Sequence, residues 1–438
     1  MKTGARMAMN IRIDFNKTIG KIKPLHGVGQ PPIKAAEGIF SHFHYLTEAG
    51  TPYSRLHDVG GLFGGNVFAD IPNIFRDFDA DENDPSSYDF AFTDALIKAL
   101  IDAGVEPYYR LGVTIENNAF IKYYHIDPPR DYDKWARICE HIIAHYIDGW
   151  ADGYHYNITY WEIWNEADDG LRQSQMWVGT AEEYYRLYEV ASKHLKGVFG
   201  DRIKVGGYAA TNLRAEVAPE TNKNNPRRLY FVEFFHGFME YIQRNNAPLD
   251  FFSWHSYDDT ARTIPVAYWV RKQLDRYGYQ NAESHINEWN PVHLERGTGH
   301  HSAEVMATLL AMQKAPVDVM AIYDAKCGGG EYCPLFDPYT DKPFHAYYAL
   351  VAFDHLYELG NEVYTESDTE GVHVVAATDG KRNRMVIANI SAFDNIELSI
   401  EGADMEGARY HIIDDKRLLS WSPAIKTIEK NQVILIEF

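Results

Sequence analysis

The amino-acid sequence predicts an α/β fold, a (β/α)8 TIM barrel with a C-terminal antiparallel β-sandwich as an accessory domain. Eight short, β-rich apolar runs recur between Leu25 and Tyr323, and longer amphipathic or capped segments alternate with them. After about Gly360 the pattern changes to short strand-like runs separated by turn residues. A chain of 438 residues is long enough for one large barrel and one smaller domain.

The eight strand predictions rest on runs that are mostly apolar on both faces, as is typical of parallel strands covered by helices. The predicted strands are Leu25–Gly29, Pro52–His57, Glu106–Leu111, Ile158–Trp164, Ile203–Tyr208, Asp250–Tyr257, Ser284–Trp289 and Val317–Tyr323.

The helix predictions rest on apolar spacing and on end signals. The helix Thr180–Phe199, for example, opens with TAEE, an N-cap followed by acidic residues, and is closed by Gly200. The other predicted helices are Phe92–Ala103, Asp131–Trp150, Arg227–Arg244, Ile264–Tyr277, Ser302–Lys314 and Phe344–Leu359. Regular alternation of strands and helices favours a barrel over a doubly wound sheet.

The C-terminal region reads as a small antiparallel domain. Runs such as VHVVAATD, RMVIANIS and NQVILIEF are separated by turn sequences such as DGKRN. The early segment Ile11–Asn16 is expected to add a strand to it. We therefore predict a catalytic barrel over residues 20–358 and a β-sandwich formed by residues 1–19 and 359–438.

Composition excludes several classes of partner. The formal net charge of −20 opposes binding to nucleic acid or to an anionic membrane surface, and no apolar run is long enough to span a membrane. No secretory signal is visible, and three cysteines favour reduced thiols and a cytoplasmic location. A secreted protein whose signal has been trimmed is the alternative location, and a Cys327–Cys333 disulfide is the alternative to reduced thiols. The acidic surface is compatible with a homo-oligomer but does not specify one.

Two glutamates stand where a barrel enzyme places its reactive groups, at the C-terminal ends of strands. The fourth predicted strand finishes with Asn165 and Glu166, and the seventh with Glu288 and Trp289. One such glutamate alone is most often an ion-pair partner. Two of them, each flanked by asparagine and tryptophan, match the pair of carboxylates that hydrolyses a glycosidic bond.

The segments WEIWNEADD and HINEWNP together resemble clan A of the glycoside hydrolases, and within it family 39, which contains β-xylosidases and α-L-iduronidases. The resemblance covers roughly residues 20–355. It implies an O-glycosyl hydrolase that acts by double displacement through a covalent glycosyl-enzyme, with Glu166 as acid/base and Glu288 as nucleophile. It also implies retention of configuration and no cofactor.

The resemblance also assigns the substrate-binding residues. It implies that Arg55 lies beneath the nucleophile, that Tyr257 hydrogen-bonds it, and that Asn165 holds the sugar 2-hydroxyl. His57 and His255 are expected to line the same subsite, on the strand faces of Arg55 and Tyr257.

One position departs from the family pattern, because the eighth strand lacks the tryptophan that many clan members place under the sugar. Tyr323 is the expected substitute. Trp289 and Trp254 stand beside site residues, and each is either a substrate-stacking residue or part of the core.

Other polar residues favour a structural interpretation. Glu162 points into the barrel and is expected to pair with a buried arginine such as Arg110, and Asp168–Asp169 is expected to be a solvated loop. The histidines His42, His44 and His300–His301 lack an organised ligand set, so no metal site is predicted.

The sequence indicates the substrate less directly than it indicates the reaction. The long loops 59–87 and 112–130 are expected to wall the site, which favours exo action on a β-xyloside or related pentoside. Three alternatives stay open. The chain could be an endo-glycanase or an exo-glycosidase for another sugar, such as an arabinoside, glucoside, galactoside or uronide. It could instead be a non-catalytic carbohydrate-binding barrel, or a metal-dependent lyase or isomerase on the same fold.

Overall fold

The structure is a computed structural model that describes residues 8–33, 42–59, 69–114, 126–169, 176–219 and 224–438. Eight parallel strands close into a barrel in the order of the sequence. They are β2 (Gly27–Gly29), β3 (Tyr53–Leu56), β4 (Glu106–Leu111), β5 (Tyr160–Ile163), β6 (Lys204–Ala210), β7 (Phe251–Ser256), β8 (Glu283–Trp289) and β9 (Val319–Tyr323). Each predicted strand overlaps one of these, so the predicted barrel is confirmed.

Nine α-helices are found among the described residues, most of them on the outside of the barrel. They are α1 (His44–Glu48), α2 (Ile71–Ile74), α3 (Ala91–Asp102), α4 (Tyr132–Ile147), α5 (Ala181–Phe199), α6 (Pro226–Arg244), α7 (Thr260–Arg276), α8 (Gly299–Lys314) and α9 (His345–Tyr357). Short 3-10 helices cover Pro85–Ser87, Trp150–Asp152, Gly200–Arg202 and Arg214–Glu216. None of the described helices is long and apolar enough to cross a membrane.

Side-chain caps determine where the helices begin. At α5 the Thr180 side chain accepts from the Glu183 backbone and the Glu183 carboxylate accepts from the Thr180 backbone, which is a complete capping box. The prediction for α7 was wrong by four residues, because the helix begins at Thr260. Its N-cap is Asp259, whose carboxylate accepts from the Arg262 backbone at 2.9 Å.

The barrel interior changes from apolar to charged along the strands. Tyr108, Tyr160, Phe251 and Val319 form a separate buried cluster toward the N-terminal ends. Two residues further along β4 and β5, on the same strand faces, lie the fully buried Arg110 and Glu162. Buried charges in this layer require partners, and they support the site described below.

The accessory domain is one nine-stranded sheet. Its strands are β1 (Ala8–Lys21), β10 (Asn361–Ser367), β11 (Val372–Thr378), β12 (Asn383–Asn389), β13 (Ile396–Glu401), β14 (Arg409–Asp414), β15 (Arg417–Ser422), β16 (Thr427–Ile428) and β17 (Gln432–Glu437). They lie in the order β15-β14-β17-β12-β11-β10-β1-β13-β16, and all neighbours are antiparallel except β1 and β13, which are parallel. One face closes around its own apolar core, and the other packs on α8 and α9. The predicted β-domain is thus confirmed.

None of the three cysteines forms a disulfide. Cys139 and Cys333 are buried, and Cys327 is half-buried. The alternative of a Cys327–Cys333 disulfide is therefore not what the structure contains.

Candidate active site

The predicted site residues meet at the C-terminal ends of the barrel strands. Arg55 lies on β3, Glu166 follows β5, Tyr257 follows β7 and Glu288 lies on β8. An oxygen of Glu166, an oxygen of Glu288 and a ring nitrogen of His255 all lie within 4.8 Å of one another. The two carboxylates predicted from the strand ends are therefore adjacent in space.

Arg55 is the centre of the polar network beneath this pair. Its Nη1 donates to Glu288 Oε1 at 2.6 Å, its Nη2 to Asn165 Oδ1 at 2.6 Å and its Nε to Glu162 Oε2 at 2.8 Å. Burial opposes the charged guanidinium, but Glu162 and Glu288 outweigh it and raise the pKa of Arg55. One planar cation thus fixes the positions of two carboxylates and an amide.

Both oxygens of Glu288 accept hydrogen bonds. Arg55 donates to Oε1, and the Tyr257 hydroxyl donates to Oε2 at 2.5 Å. Burial and the charge of Glu288 raise the pKa of Tyr257, so its phenol stays protonated as a donor. A cation and a neutral donor thus hold both oxygens of this carboxylate in place, which suits a nucleophile.

Glu166 lies in a different environment. Its carboxylate accepts from His255 Nδ1 at 2.7 Å, and its side chain is 12% exposed. Burial raises the pKa of Glu166, with a further contribution from Glu288, while the contact with His255 acts in the opposite direction. A carboxyl with a raised pKa beside a carboxylate that a cation holds is the arrangement required for an acid/base and nucleophile pair.

The backbone of Glu166 is strained. Its φ of 44° lies in the left-handed region, and its N–H donates to the carbonyls of Tyr208 and Ala209 on β6, at 3.0 and 3.2 Å. Two residues on, Asp168 is fully buried and accepts from the Thr211 backbone and hydroxyl. Burial raises the pKa of Asp168 to about 7. The expectation of a solvated loop was therefore wrong for Asp168, which ties the chain after β5 to the chain after β6.

The pKa values of the two predicted subsite histidines shift in opposite directions. Burial and Arg110 lower the pKa of His57 well below its usual value, so His57 is neutral. Arg110 donates to His57 Nδ1 at 3.2 Å, which leaves the proton on Nε2, at 3.2 Å from Asp58 Oδ1. Burial opposes a charge on His255, but Glu288 outweighs it and the pKa of His255 is raised.

Glu162 is structural, as predicted, but its partner is not Arg110. It pairs with Arg55, and its other oxygen accepts from Ser253 and Asn287 at 2.5 and 2.6 Å. Arg110 instead donates to Asp70 at 2.7 Å.

The predictions for the aromatic residues beside the site have different outcomes. Trp254 and Trp289 are buried in the core, with exposed fractions of 0% and 2%, and neither contacts the carboxylate pair through a described hydrogen bond. Tyr323 lies near the site and is half-buried, and its hydroxyl donates to Asp58 and accepts from Gln30, each at 2.7 Å. The sequence interpretation missed Asp58 and Gln30, although Asp58 directly follows His57.

One further aromatic residue was missed. Tyr332, in the segment after β9, packs edge-on to Tyr257 with ring centroids 5.1 Å apart. The segment CGGGEYC has no strand or helix periodicity, so nothing in the sequence pattern indicates where this ring lies. The loops predicted to wall the site include residues 60–68 and 115–125, which lie outside the described residues.

Within the described ranges, one group of three ligand-type residues is close enough to hold a metal ion: Glu166, His255 and Glu288. Their chemistry fits a metal poorly, because Arg55 and Tyr257 already donate to both oxygens of Glu288. A cation there would compete with a guanidinium. Neither His42 and His44 nor His300 and His301 belong to such a group.

Comparison with known proteins places these residues in context. The model of the family described as "Glycosyl hydrolases family 39" matches residues 11–289, a range that includes Arg55, Glu166 and Glu288. The β-xylosidase of Caldicellulosiruptor saccharolyticus is 26% identical over 267 residues, which are 58% of this chain and 47% of that protein. The chain thus spans about half the length of this curated relative.

Two crystal structures are similar over 99% of this chain and 99% of their own. The glucosidase from Croceicoccus marinus is 19% identical, with a TM-score of 0.75. A monomeric β-xylosidase from Caulobacter crescentus is 15% identical, with a TM-score of 0.67. At these identities the similarity establishes the fold.

Proposed function

The chain belongs to glycosyl hydrolase family 39, and on that premise we propose that it is a retaining glycoside hydrolase with Glu166 as acid/base and Glu288 as nucleophile. The observation that carries the proposal is the contrast between two adjacent carboxylates. Glu288 is held by a cation and a phenol, whereas burial raises the pKa of Glu166. Oxygens within 4.8 Å of each other suit the retaining geometry, about 5–5.5 Å between carboxyl groups, better than the inverting one of about 6.5–9.5 Å.

The proposed reaction has two displacements. Glu288 attacks the anomeric carbon while Glu166 donates its proton to the departing glycosidic oxygen, which leaves a sugar esterified to Glu288. Glu166, now ionised, takes a proton from water as that water attacks the same carbon and frees Glu288. Each step inverts the anomeric centre, so the net result is retention.

The neighbouring residues have proposed supporting roles. Asn165 accepts from Arg55 through Oδ1, which leaves its amide NH2 for the sugar 2-hydroxyl. His57, as a neutral Nε2 donor, and Tyr323 are proposed to contact the sugar hydroxyls. His255 positions the Glu166 carboxyl. Trp289 is proposed to support the site from the core, because its exposed fraction is only 2%.

For the substrate we propose a β-xyloside or a related pentoside, cleaved by exo action. The support is the β-xylosidase relative, which is 26% identical over 58% of this chain. We assign the chemistry to the barrel, residues 20–358, and an accessory role to the β-domain formed by residues 1–19 and 359–438. Three cysteines outside any disulfide are consistent with a reducing compartment such as the cytoplasm.

Release of nitrophenol from a panel of aryl glycosides tests the proposal, with β-xyloside, α-L-arabinosides, β-glucoside, β-galactoside and uronides as members. We expect turnover of the β-xyloside, loss of turnover in Glu288→Ala, and no effect of Glu182→Ala, which changes an exposed glutamate.

Azide assigns the two roles. In Glu288→Ala it should form a glycosyl azide of inverted configuration, and in Glu166→Ala one of retained configuration. Turnover by Glu288→Ala without azide, or azide products with the opposite assignment, would contradict the proposal. Binding of sugars without turnover of any panel member would favour the carbohydrate-binding barrel.

A further inference from the structure

A cluster of three tyrosines lies beside the carboxylate pair. The rings of Tyr257, Tyr323 and Tyr332 pack edge-on, with centroids 5.1, 6.1 and 6.3 Å apart. The hydroxyls of two of them donate hydrogen bonds, Tyr257 to Glu288 and Tyr323 to Asp58. Tyr332 differs, because it is 40% exposed and no hydrogen bond engages its hydroxyl among the described residues.

The segment that carries Tyr332 is fixed to its surroundings. The Arg296 guanidinium donates to the carbonyls of Gly328 and Cys333, at 3.2 and 2.7 Å. The backbone N–H of Asp324, next to Tyr323, donates to the Tyr332 carbonyl at 2.5 Å. The backbone that carries the ring is thus held by hydrogen bonds, so binding against the ring requires little ordering of this segment.

The charges of the site also affect the pKa of Tyr332. Burial, the adjacent Glu331 and the carboxylates of both Glu166 and Glu288 raise its pKa. The ring packs 5.1 Å from that of Tyr257, whose hydroxyl donates to Glu288, so Tyr332 lies beside the carboxylate pair. It combines an open aromatic surface, a fixed backbone and a position at the proposed reaction centre.

On the basis of the proposed function, we propose that Tyr332 is a specificity-determining residue that provides the stacking surface for the sugar ring at the carboxylate pair. The negative face of an aromatic ring attracts the weakly positive C–H groups of a sugar. A pyranose chair with equatorial hydroxyls presents several C–H groups on one flat face, whereas a puckered furanose presents fewer. The site should therefore prefer pyranosides over furanosides, and the preference should depend on Tyr332.

Steady-state kinetics of Tyr332→Ala and Tyr332→Phe test this assignment, with nitrophenyl β-D-xylopyranoside and nitrophenyl α-L-arabinofuranoside as substrates. Tyr332→Ala should raise KM for the xylopyranoside about 2- to 10-fold, with a smaller effect on kcat and on the furanoside. Tyr332→Phe keeps the ring and should behave as wild type. Tyr339→Ala is the matched control, because Tyr339 lies in the same segment and is 93% exposed.

Binding separates this inference from the proposed function. Calorimetry of xylobiose with Glu166→Gln and with the double variant Glu166→Gln/Tyr332→Ala does not depend on turnover, and thermal melts confirm that each variant folds. Weaker binding by the double variant supports the stacking role, even if the wild type hydrolyses no aryl glycoside. Equal binding, an unchanged KM in Tyr332→Ala, or a Tyr332→Phe variant as impaired as Tyr332→Ala would overturn it.

Discussion

Replacement of Arg55 by methionine should separate the effect of burial from the effect of distance in this protein's ion pairs. Arg55 and Glu288 are 2.6 Å apart, with side chains only 1% and 5% exposed. Arg76 and Asp89 are also 2.6 Å apart, but their side chains are 60% and 40% exposed. The two pairs thus share a distance and differ in solvent access.

The expected magnitudes follow from that difference. Arg55→Met leaves Glu162 and Glu288 buried without their cation, which typically costs about 3–5 kcal/mol. Arg76→Met breaks a solvent-screened pair, worth about 0–1 kcal/mol. The loss of stability in Arg55→Lys should lie between these two values. An ammonium keeps the charge, but it cannot donate to Glu162, Asn165 and Glu288 from one planar group.

Urea unfolding followed by tryptophan fluorescence measures these differences as shifts of the midpoint. Turnover of the preferred glycoside should fall in both Arg55 variants, since Glu288 loses an orienting donor, and stay unchanged in Arg76→Met. Equal midpoint shifts for Arg55→Met and Arg76→Met would refute the reasoning, and so would an Arg55→Met protein with wild-type stability and turnover.

Three further outcomes are expected. Asp169 helps to raise the pKa of Glu166, so Asp169→Asn should lower that pKa and move the alkaline limb of kcat/KM to lower pH; a move to higher pH would contradict the assigned acid. Burial lowers the pKa of His301 and of His373 to about 4. Because the unfolded chain then binds more protons, the melting temperature should fall as pH drops from about 6.5 to about 4. His373→Asn should flatten that fall, and an equally steep fall would rule out its contribution. Chelation with EDTA should leave turnover unchanged, since an arginine and a tyrosine already engage Glu288; a loss restored by a divalent metal would favour a metal-dependent lyase or isomerase.

The barrel could be predicted from the sequence because its strands are short apolar runs with no competing pattern. The third of them, Glu106–Leu111, has the predicted bounds. The first residue of a helix is harder to predict from the sequence when a turn residue caps the helix, as Asp259 does ahead of Thr260. A cap depends on one local hydrogen bond, whereas the apolar period extends over the whole element.

The carboxylate pair could also be predicted, since strand order in a barrel places strand ends together. The partner of Glu162 could not. Arg110 is its register neighbour on β4, yet the guanidinium of Arg55 reaches it from β3. Two buried arginines of equal charge cannot be distinguished from spacing alone, because side-chain reach across the barrel decides between them. The position of Tyr332 could not be predicted for a similar reason, because it depends on hydrogen bonds from Arg296 to the backbone of this segment.

The burial of α8 has a consequence for how the protein is made. From Gly299 to Gln313 every residue of this helix except His300 is buried, between the barrel and the sheet of the accessory domain. The strands that cover it are synthesised after the helix, and β17, an interior strand of the sheet, follows all the other strands. Until β17 pairs with β12 and β14, those strands keep open edges and α8 keeps an exposed apolar side. A ribosome that stalls late would therefore release an aggregation-prone chain, even though every residue of the carboxylate pair and its neighbours had already been made.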